Sequence, residues 1–392
     1  MKLDYEREER FLLWLGFVLG PGAKQYERAL APFGGNAEDF FNAAQKRALP
    51  PECGIKAEVL ERIFASASER YMLGCFRRLQ EYDISALSVR MPDYPSLLKE
   101  IYDPPPVLYC RGELQEAELP IGIVGSRSPS EYGRNMAYRF AKELAEAGAC
   151  IVSGLAYGVD CIAALGALAA EKNDFPTIAV LGCGVDMVYP ANNRDIYDKI
   201  IRRGAIISEF LPGTAAKPSY FPMRNRIISG LSRGVLVVEA AEKSGTLITV
   251  DCALEQGRDV FALPGRLIDA KSEGTNELLR SGQAKFTSAA EDILEEYRGI
   301  GMAQKKNEPK TVKKPKKKAA KTAPVQKEEL PKEREELPSE QRLILNILAK
   351  GEKSFDELCE LTGLSVPLLN STLTEMEFSG IMKQSPGRVY SL

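Results

Sequence analysis

Six short apolar runs dominate the middle of the chain, between about residues 119 and 297, and helix-like segments separate them. The runs are IGIVG (121–125), CIVSG (150–154), TIAVLGC (177–183), AIISEF (205–210), GVLVVEA (234–240) and DVFALPG (259–265). Parallel strands covered on both faces are near-continuous in Val, Ile and Leu, and each needs a crossover helix to reach the next strand. The alternation therefore predicts an α/β domain with a doubly wound, Rossmann-type parallel sheet.

Three segments of different composition flank this core, whose predicted bounds are 83–298 and which begins with an extended strap rich in proline and aromatic residues (91–112). Residues 1–82 carry apolar side chains at three- and four-residue intervals, which predicts a helical domain. Residues 299–336 are rich in lysine, proline and alanine, which predicts a flexible linker because such a segment buries too little apolar surface to fold. Residues 337–392 show three helical patterns and then two short strands, an order that is winged-helix-like.

Histidine is absent from the 392 residues. Without an imidazole, histidine-based triads, histidine general bases and the usual zinc sites are excluded, so a catalyst would depend on Asp, Glu, Lys, Tyr or a free Cys. The eight cysteines form no C-x-x-C pair and are expected to be reduced thiols. The composition makes an enzyme less expected but does not exclude one. We expect no catalytic residue, no metal and no cofactor.

Charge and hydropathy limit the partners. No uninterrupted apolar run approaches the length of about 18 residues that is typical of a membrane helix. The charged start, MKLDYEREER, lacks the apolar segment of a signal peptide, so we expect a cytoplasmic protein without membrane contact. The net charge is −2, so affinity for a polyanion must come from local clusters. The lysine-rich linker is such a cluster, either as a solvated tether or as a DNA-binding tail.

Small, glycine-rich and hydroxylated residues follow the predicted strands, at the edge where open parallel sheets bind ligands. Backbone amides at helix starts and an arginine fork can hold phosphates there. The stretch 217–226 adds cations interleaved with aromatic residues, which stack bases of any sequence, so a polymer is favoured over a single nucleotide. We expect DNA contacts from Ser126, Arg127, Ser128, Gly154, Lys217, Phe221, Arg224, Asn225, Arg226, Lys243, Ser244 and Thr246.

Several of these residues have a structural alternative. Arg224 and Arg226 can form salt bridges with Glu209 or Glu239 instead of contacting DNA. Glu239 is expected to anchor a loop more readily than to catalyse a reaction. The Gly182-x-Gly184 motif lacks the rest of a dinucleotide fingerprint, and no Walker A motif is present, so ATP hydrolysis is not expected.

The motifs together resemble the DNA-processing protein A (DprA/Smf) family, over residues 90–295. The matching segments include PPPVLY (104–109), VGSR (124–127), SGLA (153–156), VLGCGVD (180–186), SEF (208–210), FPMRNRIISGLS (221–232), VVEA (237–240), SGTLIT (244–249) and LPG (263–265). The resemblance also implies that the N-terminal helices form a SAM-like domain and that the C-terminal unit is a winged helix.

The resemblance further implies a protein of natural transformation. Members coat incoming single-stranded DNA, usually as homodimers, and pass it to a RecA-type recombinase. In the family, the arginine of G-S-R and the basic loop before F-P-x-R-N-R help to hold DNA, and these roles carry over to Arg127 and Lys217. By the same resemblance they extend to Arg224, Asn225 and Arg226.

Two departures from the family pattern bear on DNA binding. Members often have G-L-A-R-G-I-D followed by a histidine, whereas this chain has Tyr157 in place of that arginine and no histidine. Tyr157 can stack a base, but one cation is lost.

One alternative to a DNA-binding function is an enzyme of the lysine-decarboxylase-like Rossmann class, which processes nucleotides and is suggested by Glu239 near Ser244. Another is a nucleotide-sensing or partner-recruiting module.

Overall fold

The computed structural model describes residues 7–299, 339–349 and, in the last segment, 351–362, 364, 369, 372, 373, 376, 381–385 and 389–391. Contacts divide the chain into two compact units, Met1–Asn307 and Glu308–Leu392. The predicted linker lies outside the described residues except for Gly299. Within the described ranges, no helix is both long enough and apolar enough to cross a bilayer.

The first unit begins with five helices, as the apolar spacing predicts: α1 (Arg7–Leu19), α2 (Ala23–Leu30), α3 (Ala37–Gln45), α4 (Ala57–Ser66) and α5 (Glu69–Glu81). They enclose Trp14, which is fully buried, packs edge-on against Phe41 and donates a hydrogen bond from Nε1 to the Ser66 carbonyl (3.1 Å). Their core continues into the sheet, because Phe17 packs on Tyr109. The helical part and the sheet therefore share one hydrophobic cluster.

Nine strands form the sheet of this unit: β1 (Ser85–Ser88), β2 (Val107–Gly112), β3 (Pro120–Val124), β4 (Cys150–Ser153), β5 (Thr177–Val180), β6 (Gly204–Ser208), β7 (Gly234–Val237), β8 (Asp259–Ala262) and β9 (Lys285–Phe286). Their order is β1-β2-β6-β5-β4-β3-β7-β8-β9. All pairs are parallel except those of β2, which runs antiparallel to β1 and β6. The six predicted runs are β3 to β8, and the predicted Rossmann-type sheet is confirmed.

Helices cover both faces of the sheet: α6 (Ser96–Lys99), α7 (Glu131–Glu146), α8 (Val159–Leu168), α9 (Arg194–Arg203), α10 (Tyr220–Leu231), α11 (Thr246–Glu255), α12 (Glu273–Arg280) and α13 (Ala290–Glu296). Short 3-10 turns lie at Ala31–Phe33, Pro51–Cys53, Ala191–Asn193 and Ala270–Ser272. Alternate residues of a strand face opposite layers. In β7, Val235 belongs to the same hydrophobic cluster as Ile227 of α10, whereas Leu236 belongs to the cluster of Phe140 in α7.

The second unit contains α14 (Ser339–Leu348), β10 (Lys353–Ser354), α15 (Phe355–Thr362), β11 (Lys383–Ser385) and β12 (Val389–Ser391), with strand order β10-β12-β11. Ile344, Leu358 and Met376 are fully buried in its core. Ser354 caps the start of α15: its Oγ accepts from the Glu357 amide, and its own amide donates to the Glu357 carboxylate. The two short strands that the sequence predicts at the end of the chain correspond to β11 and β12.

Candidate nucleic-acid interface

The strand order of the sheet reverses at β3, because β4 pairs with one side of β3 and β7 with the other. Loops that leave the carboxyl ends of two such neighbouring strands turn to opposite faces and open a crevice between them. The loops after β3, β4, β5 and β7 surround this crevice, and most of the predicted site residues lie in them or at the start of α10.

The loop after β3 carries Arg127, and both backbone polar groups of the preceding Ser126 are hydrogen-bonded. The Ser126 amide donates to the Glu239 carbonyl (2.8 Å), and the Ser126 carbonyl accepts from the Val159 amide (3.1 Å). Gly158 passes directly over this loop with φ +80, and a Cβ at that position would lie 2.3 Å from the Ser126 carbonyl oxygen. Only glycine fits this crossing. The Arg127 side chain itself is exposed at the surface.

Glu239, two residues after β7, anchors the same loop through its side chain. The carboxylate is buried and accepts from the Ser130 amide (2.9 Å) and from the Ser130 hydroxyl. Ser130 Oγ in turn accepts from the Gly133 amide in the first turn of α7. These donors at the start of α7 are therefore occupied within the protein, and phosphate binding in this crevice falls mainly to side chains.

A pocket opens beside Arg127 in the crevice. The Arg127 guanidinium carbon lies 5.3 Å from the centroid of the Phe221 ring, and the Phe221 and Tyr189 rings are 5.4 Å apart with an interplanar angle of 32°. Tyr157 and Tyr189 remain 48% and 46% exposed. We call this the Arg127 pocket; it is lined by Arg127, Gly154, Ala156, Tyr157, Leu181, Gly182, Cys183, Tyr189, Pro190 and Phe221.

Arg224 lies beneath the pocket rather than in it. Its side chain is buried, and Nη1 donates to the Val180 carbonyl (2.8 Å). A Cβ on Gly154 would lie 1.7 Å from Nη1, so a glycine at 154 is what makes room for the guanidinium. Burial lowers the pKa of Arg224, and the Arg127 charge lowers it further against the opposing effect of Asp160. Arg224 therefore supports the pocket floor as a buried cation.

Arg226 is held by two carboxylates. Its Nε donates to Asp103 (2.8 Å) and its Nη2 to Glu209 (2.8 Å), whose side chain is only 1% exposed. Burial opposes the charge on Arg226, but Glu209 and Asp103 outweigh that effect and raise its pKa. The structural alternative, a salt bridge to Glu209, is confirmed for Arg226. Contact of Arg224 and Arg226 with DNA stays a prediction.

The other predicted residues lie along the same edge of the sheet but outside the pocket lining. Lys217 is exposed, with Nζ 5.5 Å from the centroid of Tyr220, and Tyr220 stacks on Phe210 at 4.2 Å. Lys243 is exposed before α11. The hydroxyls of the remaining residues serve local turns: Ser244 Oγ accepts from the Thr246 amide, and Ser126 Oγ from the Ser128 amide.

Of the predicted residues, the structure brings Arg127, Gly154 and Phe221 into one pocket, with Ser126 and Ser128 flanking Arg127. Asn225 is partly buried in α10, and its backbone carbonyl accepts a hydrogen bond from Ser229 Oγ. Two half-exposed aromatic residues, Tyr157 and Tyr189, also line the pocket. Tyr157 is considered for base stacking on sequence grounds without being included among the expected DNA contacts, and Tyr189 is missed. Tyr189 follows a predicted strand, a signal that sequence reasoning could have used.

Fold and site together define a Rossmann-type α/β protein with a cationic, aromatic-walled pocket at its switch point. The model of the family described as DNA recombination-mediator protein A matches residues 85–298, and that of the DprA winged helix domain matches residues 328–388. The chain belongs to the DprA/Smf family of DNA-processing proteins.

Relatives and solved structures agree with this assignment. The DNA processing protein DprA of Bacillus subtilis is 43% identical over 219 residues, 55% of this chain and 72% of the relative. Protein Smf of Synechocystis is 34% identical over 362 residues, 86% of this chain and 87% of the relative.

The X-ray structure of DprA from Streptococcus pneumoniae matches with a TM-score of 0.60 and 31% identity, covering 75% of this chain and 99% of that one. A DprA structure from Helicobacter pylori, described for its single-stranded DNA binding mode, matches with a TM-score of 0.50 and 34% identity, covering 55% of this chain and 95% of that one.

Proposed function

We propose that this protein binds single-stranded DNA along the carboxyl edge of its sheet and catalyses no reaction on it. In natural transformation it would protect incoming DNA and help to load a RecA-type recombinase. The observation that carries the proposal is the Arg127 pocket, in which an exposed guanidinium lies over Phe221 beside two half-exposed tyrosines. A cation binds the phosphate and the rings stack the bases, which is how proteins hold single strands without sequence preference.

In this proposal the residues of the crevice divide into two roles. Arg127, Lys217 and Lys243 bind backbone phosphates, because all three are exposed. Phe221 stacks a base and is joined by Tyr157 and Tyr189, which also line the pocket. Tyr157 would thus stack a base at the position where family members often have an arginine.

The remaining residues would support this surface. Gly154 makes room for Arg224, and Arg224 would add positive potential from below without leaving the interior. Arg226, held by Asp103 and Glu209, and Asn225 would keep α10 in place. Ser126, Ser128, Ser244 and Thr246 would shape the loops on either side, because their backbone amides donate to groups of the protein itself.

The enzyme alternative depends on Glu239, and its surroundings favour a binding role. Its carboxylate is buried against Ser130 and does not line the Arg127 pocket. A catalytic carboxylate must reach the reacting group, within hydrogen-bond distance or through one water. The proposal therefore assigns Glu239 to positioning the Arg127 loop.

The partner proposals rest on family membership. We propose a homodimer that delivers single-stranded DNA to a RecA-type recombinase in the cytoplasm, where the recombinase acts. Analytical ultracentrifugation of the protein, alone and with oligonucleotide, tests the dimer. A strand-exchange assay with DNA pre-coated by a single-strand-binding protein tests recombinase loading, which should be faster in the presence of this chain.

Fluorescence anisotropy over a salt series tests the central proposal. Labelled oligo-dT of several lengths is compared with duplex of equal length. Single strands should bind more tightly than duplex, and affinity should rise with length and fall with salt, because each phosphate contact releases counterions. Equal affinity for duplex, or binding that is lost below about 100 mM salt, where screening is still limited, would contradict the proposal.

A further inference from the structure

A second concave surface lies on the other side of α10 from the Arg127 pocket, between the helical part of the first unit and its sheet. It encloses about 810 Å³, and α2, the segment 53–59 and α10 contribute to its walls. We call it the α2 groove. Its charged and exposed lining residues include Lys24, Arg28, Lys56, Asp103, Met223 and Arg226.

The charges of the α2 groove are unbalanced. Asp103 is the only acid in its described lining, and Arg226 already occupies that carboxylate. Lys24, Arg28 and Lys56 are exposed, and within residues 7–299 none of them forms an ion pair. Single exposed cations are ordinary solvated surface, but three around one groove create a local positive potential that attracts a polyanion.

An aromatic side chain accompanies these cations. Lys24 Nζ lies 5.5 Å from the centroid of the Tyr102 ring, and Tyr102 is 84% exposed. An exposed ring of this size gains nothing from the protein's own core and offers a face on which a base can stack. The pairing of a cation with an aromatic ring thus repeats that of Arg127 with Phe221.

Helix α10 connects the two surfaces. Phe221 lines the Arg127 pocket, whereas Met223 and Arg226 line the α2 groove. At about 100° per residue, positions 221 and 226 lie on different sides of a helix about 10 Å across. Pro222 and Met223 are exposed in the first turn of α10, so a strand that leaves the pocket can pass over this turn and reach the groove.

We propose that the α2 groove is a second contact for the same single strand, in which Lys24, Arg28 and Lys56 bind phosphates and Tyr102 stacks a base. The inference rests on the proposed function, since the strand must first be held in the Arg127 pocket. It makes the helical part of the first unit a component of the DNA path. The affinity should then rise with DNA length until the single strand is long enough to contact both surfaces.

The test compares two oligonucleotide lengths and two matched variants of the full chain. Oligo-dT of about 6 nucleotides is chosen to fill the pocket alone and oligo-dT of about 20 to reach the groove as well. The groove variant is Lys24→Gln/Arg28→Gln/Lys56→Gln. The control variant, Lys46→Gln/Arg70→Gln/Arg77→Gln, removes three exposed charges from the same helical part outside the groove.

The groove variant should bind the short oligonucleotide like the wild type. For the long one, three lost phosphate contacts at about 0.7 each make the salt slope shallower by about 2, which is about a hundredfold weaker binding at 0.1 M salt. The control variant should bind both oligonucleotides with the affinity and the salt slope of the wild type. Tyr102→Ala, which removes no charge, should weaken only the long oligonucleotide and leave its salt slope unchanged.

The failures are distinguishable. If the wild type binds neither oligonucleotide, the proposed function falls, and this inference falls with it. If the wild type binds both and the groove variant matches the control variant, the groove inference alone is overturned. Equal weakening for both lengths, with an unchanged melting temperature, would also overturn it, because the cations would then act on the pocket.

Discussion

Gly154→Ala adds one methyl group at a position where the structure leaves no space for it. The new Cβ would lie 1.7 Å from Arg224 Nη1 and 2.4 Å from Cζ. The guanidinium must therefore move by more than about 1 Å, because real Cβ contacts are essentially never below 3.0 Å. It cannot move freely, since Nη1 is bound to the Val180 carbonyl and the side chain is buried.

Two costs follow from this displacement. Overpacking a buried site costs about 1–3 kcal/mol, and losing a hydrogen bond from a charged donor costs about 1.5–3 kcal/mol. Together they lower the free energy of unfolding by about 2.5–6 kcal/mol, which corresponds to a fall in Tm of roughly 5 °C or more for a unit of this size. Thermal unfolding followed by circular dichroism measures the shift.

Two further variants make this test specific. Gly74→Ala, in the interior of α5 with no atom within 4 Å of the new Cβ, should leave Tm unchanged or raise it by the equivalent of up to about 1 kcal/mol. In an Arg224→Ala background the obstruction is gone, so Gly154→Ala should then cost less than about 1 kcal/mol. A Tm for Gly154→Ala within about 2 °C of the wild type would refute the packing argument.

Three further predictions concern binding and pH. Arg127→Ala should weaken single-stranded DNA binding about five- to tenfold at 0.1 M salt for all sequences alike and make the salt slope shallower by about one, measured by anisotropy against Arg202→Ala as a control; a sequence-dependent loss would contradict the phosphate role. Phe221→Ala should cost about 1–3 kcal/mol of binding at unchanged salt slope, and Phe221→Trp should restore it; a changed slope would argue against stacking. Burial raises the pKa of Asp160, so its stabilisation is full below the ordinary carboxyl pKa and is lost as pH rises through the raised value. The Tm difference between the wild type and Asp160→Asn should therefore change in favour of the wild type as pH falls towards the ordinary carboxyl pKa, and a difference that does not depend on pH would refute this assignment.

The core sheet could be predicted from the sequence because its strands are buried on both faces. A strand such as β7 has no polar alternation, so its whole length is apolar and easily recognised. Strands β1, β2 and β9 are not among the six predicted runs. In the proline-rich segment that contains β2, the strand forms through antiparallel pairing with β6, where Tyr109 faces Ser208, and such pairing is a tertiary event without a local signal.

The sequence predicts which loops form the site, but it does not predict the direction in which their side chains point. Arg127 follows β3 directly, so its place at the switch point follows from strand order. Arg224 and Arg226 lie on a helix, and which of them faces inward depends on how α10 docks against Val180 and Asp103. Without that docking, a buried arginine, a salt-bridged arginine and a DNA-binding arginine share the same sequence pattern.

The attachment of the Arg127 loop to Glu239 has a kinetic consequence. The loop is tied to β7 through the Ser126 amide and through the Ser130 amide and hydroxyl, so its shape is set before any ligand arrives. A preorganised surface spends little conformational entropy on association and needs no closing step. Binding at this loop should then follow single-exponential stopped-flow kinetics with a rate that rises linearly with DNA concentration. Replacing Glu239 with alanine should introduce a slower, concentration-independent phase as the loop must first be ordered.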